Sequence, residues 1–222
     1  MRGITFIDIA SGVSKHTADD WDLIMSEKEI GTPAPRIAKV DMEDRDGELD
    51  VSEVIRGRVS YKNRALSFAF TCTAPQPTWA DLRAEIAGFI HGKRMMLVDP
   101  DTPNHYYIGR CTLGEPSFKG EAIMFLDVKV DADPYRLSNT ETTVEKSVSA
   151  GTTVSLINST MPVVPTVTVS ADMTIAFGNF SFSLASGSTY EIPEITLENG
   201  TNTIRITAGS GTITFTYRQG AI

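Results

Sequence analysis

Residues 41–72 read DMEDRDGELDVSEVIRGRVSYKNRALSFAFTC, and the fold turns on how this stretch is understood. Its first half carries charge and centres on an acidic turn, Arg45-Asp46-Gly47. Its second half alternates: Leu66, Phe68, Phe70 and Cys72 share one face, and Ala65, Ser67, Ala69 and Thr71 share the other. That period of two is the pattern of a half-buried β-strand.

The acidic half invites comparison with a calcium loop. If Gly47 is the sixth residue of a twelve-residue EF-hand loop, Asp44, Asp46, Asp50 and Glu53 fall on ligand positions. The first ligand position is then Met42, whose thioether does not suit a hard cation. The flanks also fail, because Pro33 and Pro35 precede the loop and Arg56-Gly57-Arg58-Val59 follows it, where an EF-hand needs helices. A solvated turn in which Gly47 supplies a left-handed residue is the better reading, and no metal is expected.

Upstream, Ile4–Ile9 alternates weakly and reads as a strand, and Trp21, Leu23, Ile24 and Met25 form an apolar patch. Pro33 and Pro35 imply an extended arm that leads into the acidic turn. Downstream, a helix is predicted over about 78–91. Thr78 is placed to cap it, Asp81 lies in its first turn, and Gly92 is placed to end it. Trp79, Leu82, Ile86, Phe89 and Ile90 make its core-facing stripe. Strands are predicted at Met95–Val98, His105–Cys111 and Ala122–Val130, the last apolar enough to be covered on both faces.

Composition shifts near residue 138. Residues 138–222 hold only three of the 20 Lys and Arg and six of the 28 Asp and Glu. They carry instead runs of apolar residues alternating with Ser and Thr, including 173–177, 180–184 and 213–217. Turn signals separate the runs, among them Gly178-Asn179 and Gly209-Ser210-Gly211. About eight short strands are expected, packed as a β-sandwich. The domains are therefore 1–138, a β-domain with one helix, and 139–222, the sandwich.

Several functions are disfavoured. A formal net charge of −8 argues against binding nucleic acid through its phosphates. Cys72 and Cys111 sit inside strand patterns and read as buried thiols. No Gly-x-Ser-x-Gly elbow, P-loop or His-Glu-x-x-His occurs, so no enzyme and no cofactor are expected. No apolar run suits a signal peptide or a membrane span, and synthesis in a cytosol without export is expected. Sugar binding would need an exposed aromatic on the sandwich. Tyr190 and Tyr217 are the candidates, with Tyr217 on the apolar face.

Taken in order, a set of short pieces resembles the distal tail protein (Dit) family of long-tailed phages and prophages of Gram-positive bacteria. They are Asp22–Met25, the Pro33–Pro35 arm, Arg45–Asp50, Tyr61-Lys62-Asn63-Arg64, the Trp79 helix, Tyr106–Arg110 and Asp133–Arg136. Glu198–Ile206 with Thr214–Arg218 resembles the family's last hairpin. One departure is Asp44, where the family usually has glycine before its Arg-Asp-Gly.

The resemblance implies a structural virion protein at the tail tip, assembled in the host cytoplasm. Its N-terminal domain would be related to tail-tube proteins and would form a homo-hexameric ring; the C-terminal sandwich would be galectin-like. Implied partners are the tail tube protein, a tail-tip or tail-associated protein, and baseplate or receptor-binding components. DNA would only pass through the ring, and no membrane is involved. Asp44, Arg45, Asp46, Gly47, Tyr61, Asn63 and Arg64 are the expected subunit-contact residues. The alternatives are a carbohydrate-binding adhesion module acting through the sandwich, or a related tail-tip component.

Overall fold

The structure, a computed structural model, describes residues 3–43, 46–54, 57–120 and 122–222. It divides into two compact units, residues 1–136 and 137–222, and the fold is mainly β.

The first unit is one antiparallel sheet folded over a helix. Its elements are β1 (Thr5–Asp8), β2 (Ser14–His16), the single turn α1 (Thr17–Asp20) and β3 (Leu23–Ile30). There follow β4 (Lys39–Val40), β5 (Leu49–Asp50), β6 (Arg64–Cys72), α2 (Trp79–Ile90), β7 (Arg94–Val98), β8 (His105–Leu113), β9 (Ser117–Lys119) and β10 (Ile123–Ala132). The strands lie side by side in the order β2-β1-β7-β8-β10-β6-β3, and β9 pairs with the start of β10. The alternation read in β6 is realised: Leu66, Phe68, Phe70 and Cys72 are buried, and every second residue between them faces outward. Leu66 pairs with Val130 and Phe70 with Leu126, so the inward faces of β6 and β10 coincide.

The sheet curls until its ends meet. Phe6 of β1 and Trp21 beside β3 come within 6.4 Å, although four strands separate β1 from β3 in the sheet order. Both join a core with Phe68, Phe70, Met95, Leu97, Leu126 and Val128. Burying a large apolar side chain of this kind stabilises by roughly 2–3 kcal/mol.

Helix α2 closes the core with Trp79, Ile86 and Ile90, while Leu82 and Phe89 are half-buried beside them. Its start differs from expectation. Thr78 makes no side-chain cap and adopts helical angles, because its hydroxyl donates to the Pro75 carbonyl (2.8 Å) within a tight 3₁₀ turn over Gln76–Thr78. At the other end Gly92 is left-handed, φ 73°, as its position predicts. Strand β10 also differs, since only one face is covered: Asp127, Lys129 and Asp131 are exposed.

The second unit is a β-sandwich. After β11 (Arg136–Ser138) it contains β12 (Thr142–Ser149), β13 (Thr153–Asn158), β14 (Thr166–Val169), β15 (Met173–Phe177) and β16 (Phe180–Leu184). Strands β17 (Thr189–Glu191), β18 (Gly200–Tyr217) and β19 (Gly220–Ala221) complete it. Strand β18 organises both layers. Its first half pairs with β13 and β15, and its second half pairs with β12 and β14.

The crossover is at Gly209-Ser210-Gly211. A side chain at Gly209 (φ 89°) would strike the Asp172 carbonyl at 2.5 Å, so the strand can turn this corner only with glycine there. The expected last hairpin is therefore one bent strand that changes sheets. Its core includes Val154, Leu156, Val167, Ile175, Ile204, Ile206, Ile213 and Phe215.

Candidate subunit-contact surface

Between β3 and β6 the chain leaves the sheet and returns, forming an arm none of whose described residues joins the core. The two prolines keep its outgoing limb extended, and backbone bonds tie the limbs together. Lys62 N–H donates to Ala34 O (2.8 Å), Arg36 N–H to Ser60 O (2.7 Å) and Val51 N–H to Ala38 O (2.9 Å). Further out, β4 pairs with β5, supported by a Lys39–Glu48 ion pair at 2.6 Å. Both partners are half-exposed, so that pair contributes little by itself.

Of the former calcium candidates, Asp50 is otherwise engaged. The Asp50 carboxylate accepts from the Ser52 N–H (2.9 Å) and hydroxyl (2.5 Å), and these bonds hold it below the ordinary Asp range. Gly47 is left-handed, φ 80°, as the turn reading requires. Asp46 and Gly47 are exposed, whereas Asp44 and Arg45 lie outside the described residues.

The arm's root contains the other expected contact residues. Tyr61 meets Tyr135 edge-on at 6.0 Å, and exposed Asn63 donates to Asp131 Oδ2 (3.1 Å). Arg64 departs from expectation. It is 6% exposed, with Nε on the Gly31 carbonyl (2.8 Å), Nη1 on the Pro134 carbonyl (3.3 Å) and its guanidinium 5.2 Å from the centre of the Tyr107 ring. It fastens the arm to the sheet from inside, where its sequence position suggested an exposed charge. An Arg that opens an apolar strand looks exposed in sequence, because three backbone or ring partners from distant segments are invisible there.

Sequence reasoning did not find two surface features. The first is the apolar edge of the arm, where Ile37, Val40, Met42 and Val54 stand exposed, Val54 at 76%. The second is a cleft of about 720 Å³ beside α2, lined by Trp79, Ala80, Ala84, Ala87, Pro116 and Phe118 among others. Phe118, on the short β9, stacks on Trp79 at 5.6 Å and is 57% exposed. Arg83 bonds Glu115 (2.8 Å) across the cleft, leaving its buried Nε without an acceptor.

In the second unit Tyr217 is buried, as its face predicts, and donates to the Ile157 carbonyl (2.6 Å). Tyr190 is half-buried, its hydroxyl accepting from Ala185 N–H (2.8 Å). The exposed aromatic is Phe180, stacked on Phe182 at 6.3 Å. Trp21 and Trp79 are both buried. Among the described residues no helix is long and apolar enough to cross a membrane.

No family model and no curated protein matches this chain. Among solved structures it is similar to the SPP1 Dit protein (gp 19.1), with a TM-score of 0.61 and 17% identity over 99% of both chains. That structure is described as a paradigm of the hub adsorption apparatus in phages infecting Gram-positive bacteria. Likeness over the full length of both chains covers the curled sheet, the helix and the sandwich together. The chain therefore has the fold of a phage distal tail protein.

Proposed function

We propose that this protein is the ring-forming hub at the distal end of a long, non-contractile phage tail. The observation that carries the proposal is the agreement in fold with a Dit protein across both units. In this reading the protein is a structural component of the virion. Residues 1–138 build a homo-hexameric ring between the tail tube protein and the tail-tip protein, and DNA passes through its channel. The sandwich, 139–222, offers attachment to baseplate or receptor-binding components.

The arm supports ring formation. A two-stranded extension whose described residues leave apolar side chains uncovered and join no core cluster is poorly explained in an isolated monomer. Asp44, Arg45, Asp46 and Gly47 at its acidic turn, with Tyr61 and Asn63 at its root, are placed at subunit contacts. Native mass spectrometry and negative-stain microscopy across concentrations test the reading, with hexameric rings expected. A protein that stays monomeric at every concentration, even with its tube partner, overturns it.

The alternative, sugar binding by the sandwich, draws on one observation, the exposed Phe180–Phe182 stack. A glycan array on the intact chain and on F180A separates the two. Hub function predicts no glycan signal, and a signal lost in F180A favours adhesion.

A further inference from the structure

Strand β16 ends one sheet of the sandwich, and among the described residues it pairs with β15 alone. Gly178-Asn179 joins the two strands as a two-residue loop, so the closing pair Phe177–Phe180 exchanges backbone bonds. Bonding then alternates along the ladder. Phe182 and Leu184 bond towards β15, and the N–H and C=O groups of Ser181 and Ser183 point away from it. Such an open row is a template for a further strand.

Other edges are blunted. Strand β3 carries Glu27, Lys28 and Glu29, β12 carries Glu145 and Lys146, and β17 carries Glu191. Strand β13 is uncharged, but its Ile157 carbonyl already accepts from the Tyr217 hydroxyl (2.6 Å) and the Gln219 amide (3.4 Å). Around β16 neither charge nor proline intervenes, because residues 173–190 hold no Lys, Arg, Asp, Glu or Pro.

The occupant that fits this edge is a second β16. Its sequence, Phe-Ser-Phe-Ser-Leu, reads nearly the same in both directions. Laid antiparallel about Phe182, Ser181 of one copy meets Ser183 of the other, Phe180 meets Leu184, and Phe182 meets Phe182. The Ser181–Ser183 pairs fall where the open backbone groups are and can exchange bonds. Phe180, 54% exposed and stacked on Phe182, gains an apolar partner across the strands. We propose that β16 is a self-association edge through which two copies of this chain join their sandwiches about a twofold axis at Phe182. Such a contact is isologous, whereas ring neighbours meet head to tail. It therefore links copies of different rings, or free copies in pairs, and does not depend on the ring reading. A pair of five-residue strands falls short of the roughly 1,000 Å² of a stable interface, so single copies pair weakly. A ring presenting several such edges pairs more tightly through avidity.

Full-length S181C and S183C, one carrying a size tag, are mixed and oxidised mildly; both native cysteines are buried. Paired positions lie about 5.5 Å apart at Cα, within disulfide reach, whereas like positions lie on the diagonal at about 7–8 Å. A linked dimer of mixed size is expected from the mixture, and little from either variant alone. Sedimentation velocity across concentrations gives a second readout. S181K/S183K sets lysine opposite lysine and should raise the concentration at which copies or rings associate by roughly tenfold or more. Adding S181E/S183E should restore association. Both serines are exposed, and thermal melts confirm that the variants fold. A mixture with no linked dimer, linkage as strong in S181C alone, or association indifferent to the lysines overturns the pairing. Rings lost in S181K/S183K would assign β16 to the ring and also overturn the twofold contact. Failure of the pairing leaves the hub reading standing, and a wild-type chain that forms no rings overturns the hub reading alone.

Discussion

Lys28 Nζ donates to both carboxylate oxygens of Asp99, at 2.9 and 2.8 Å, and so ties the outermost strand β3 to the turn after β7. Those strands are not neighbours in the sheet, and the bond spans 71 residues of sequence. Asp101 adds a third contact at 2.5 Å. Lys28 and Asp99 are both largely withdrawn from water, so this is a clamp between the two ends of a curled sheet. Removing one partner of a buried pair leaves an uncompensated charge, which typically costs about 3–5 kcal/mol. D99A and K28M should each fall near the lower figure, because Asp101 keeps part of the site wet. K28M/D99A should lose less than the two singles together. Urea unfolding of the four proteins as a double-mutant cycle measures this, and strict additivity would remove the clamp.

Arg64 gives a prediction opposite to the one its sequence context suggests. A subunit-facing arginine would tolerate charge reversal with the monomer intact. Buried as it is, Arg64→Glu would put a carboxylate against the Gly31 and Pro134 carbonyls, repelling where Arg64 donates. The monomer should lose about 3 kcal/mol or more. Arg64→Lys, which keeps the charge and loses the fork, should lose less. Melting temperatures of dilute monomer report the effect, and an unchanged value for R64E would return Arg64 to the surface. Arg45→Glu should instead weaken ring assembly while leaving the melt unchanged.

These cases show what was legible in the sequence. Strands whose alternation is driven by burial, such as β6 and β15, could be read residue by residue. So could the helix, because its stripe recurs at three and four. Strand β3 was visible only as the patch Leu23–Met25. Its outer half, Ser26-Glu27-Lys28-Glu29, is charged because an edge strand tolerates charge and because Lys28 is neutralised by a carboxylate seventy residues away. Gly209 and Gly211 signalled a turn, and local chemistry alone cannot separate a reversal from a sheet-switching corner. The arm was foreseen from Pro33 and Pro35, but the cleft was not. It depends on Phe118 meeting Trp79, a contact between segments with no shared periodicity.

The corner in β18 makes its own prediction. Gly187 and Gly209 both have positive φ, but a side chain at Gly187 meets nothing within 4 Å, whereas one at Gly209 meets backbone at 2.5 Å. G187A should therefore cost only the left-handed penalty, about 1 kcal/mol. G209A adds a clash with the Asp172 carbonyl and Met173, and should cost about 3 kcal/mol or prevent the sandwich from folding. Thermal melts of the two variants test this, and equal losses would mean that the corner relaxes freely.

The buried thiols set the alkaline limit of stability. Burial pushes the Cys111 thiol up to about 12, and burial also raises Cys72, opposed by a backbone N–H from Ala74. In the unfolded chain a cysteine titrates near 8.5. Between about 8.5 and 12 the folded protein therefore holds the Cys111 proton that the unfolded chain releases, and stability must fall as pH rises through that window. Lys28 acts in the same direction. Burial lowers its affinity for a proton, but its bonds to Asp101 and Asp99 outweigh this and leave it raised, so its contribution is lost as pH rises through that raised value. Unfolding free energy should change little with pH from these groups below pH 8. Above it, the Cys111 thiol alone sets a slope of up to about 1.4 kcal/mol per pH unit. C111A should flatten that slope, and denaturant titrations from pH 7 to 11 on both proteins measure it. At pH 8 a thiol reagent should label the native chain no faster than it opens, and rapid labelling of Cys111 would contradict its burial.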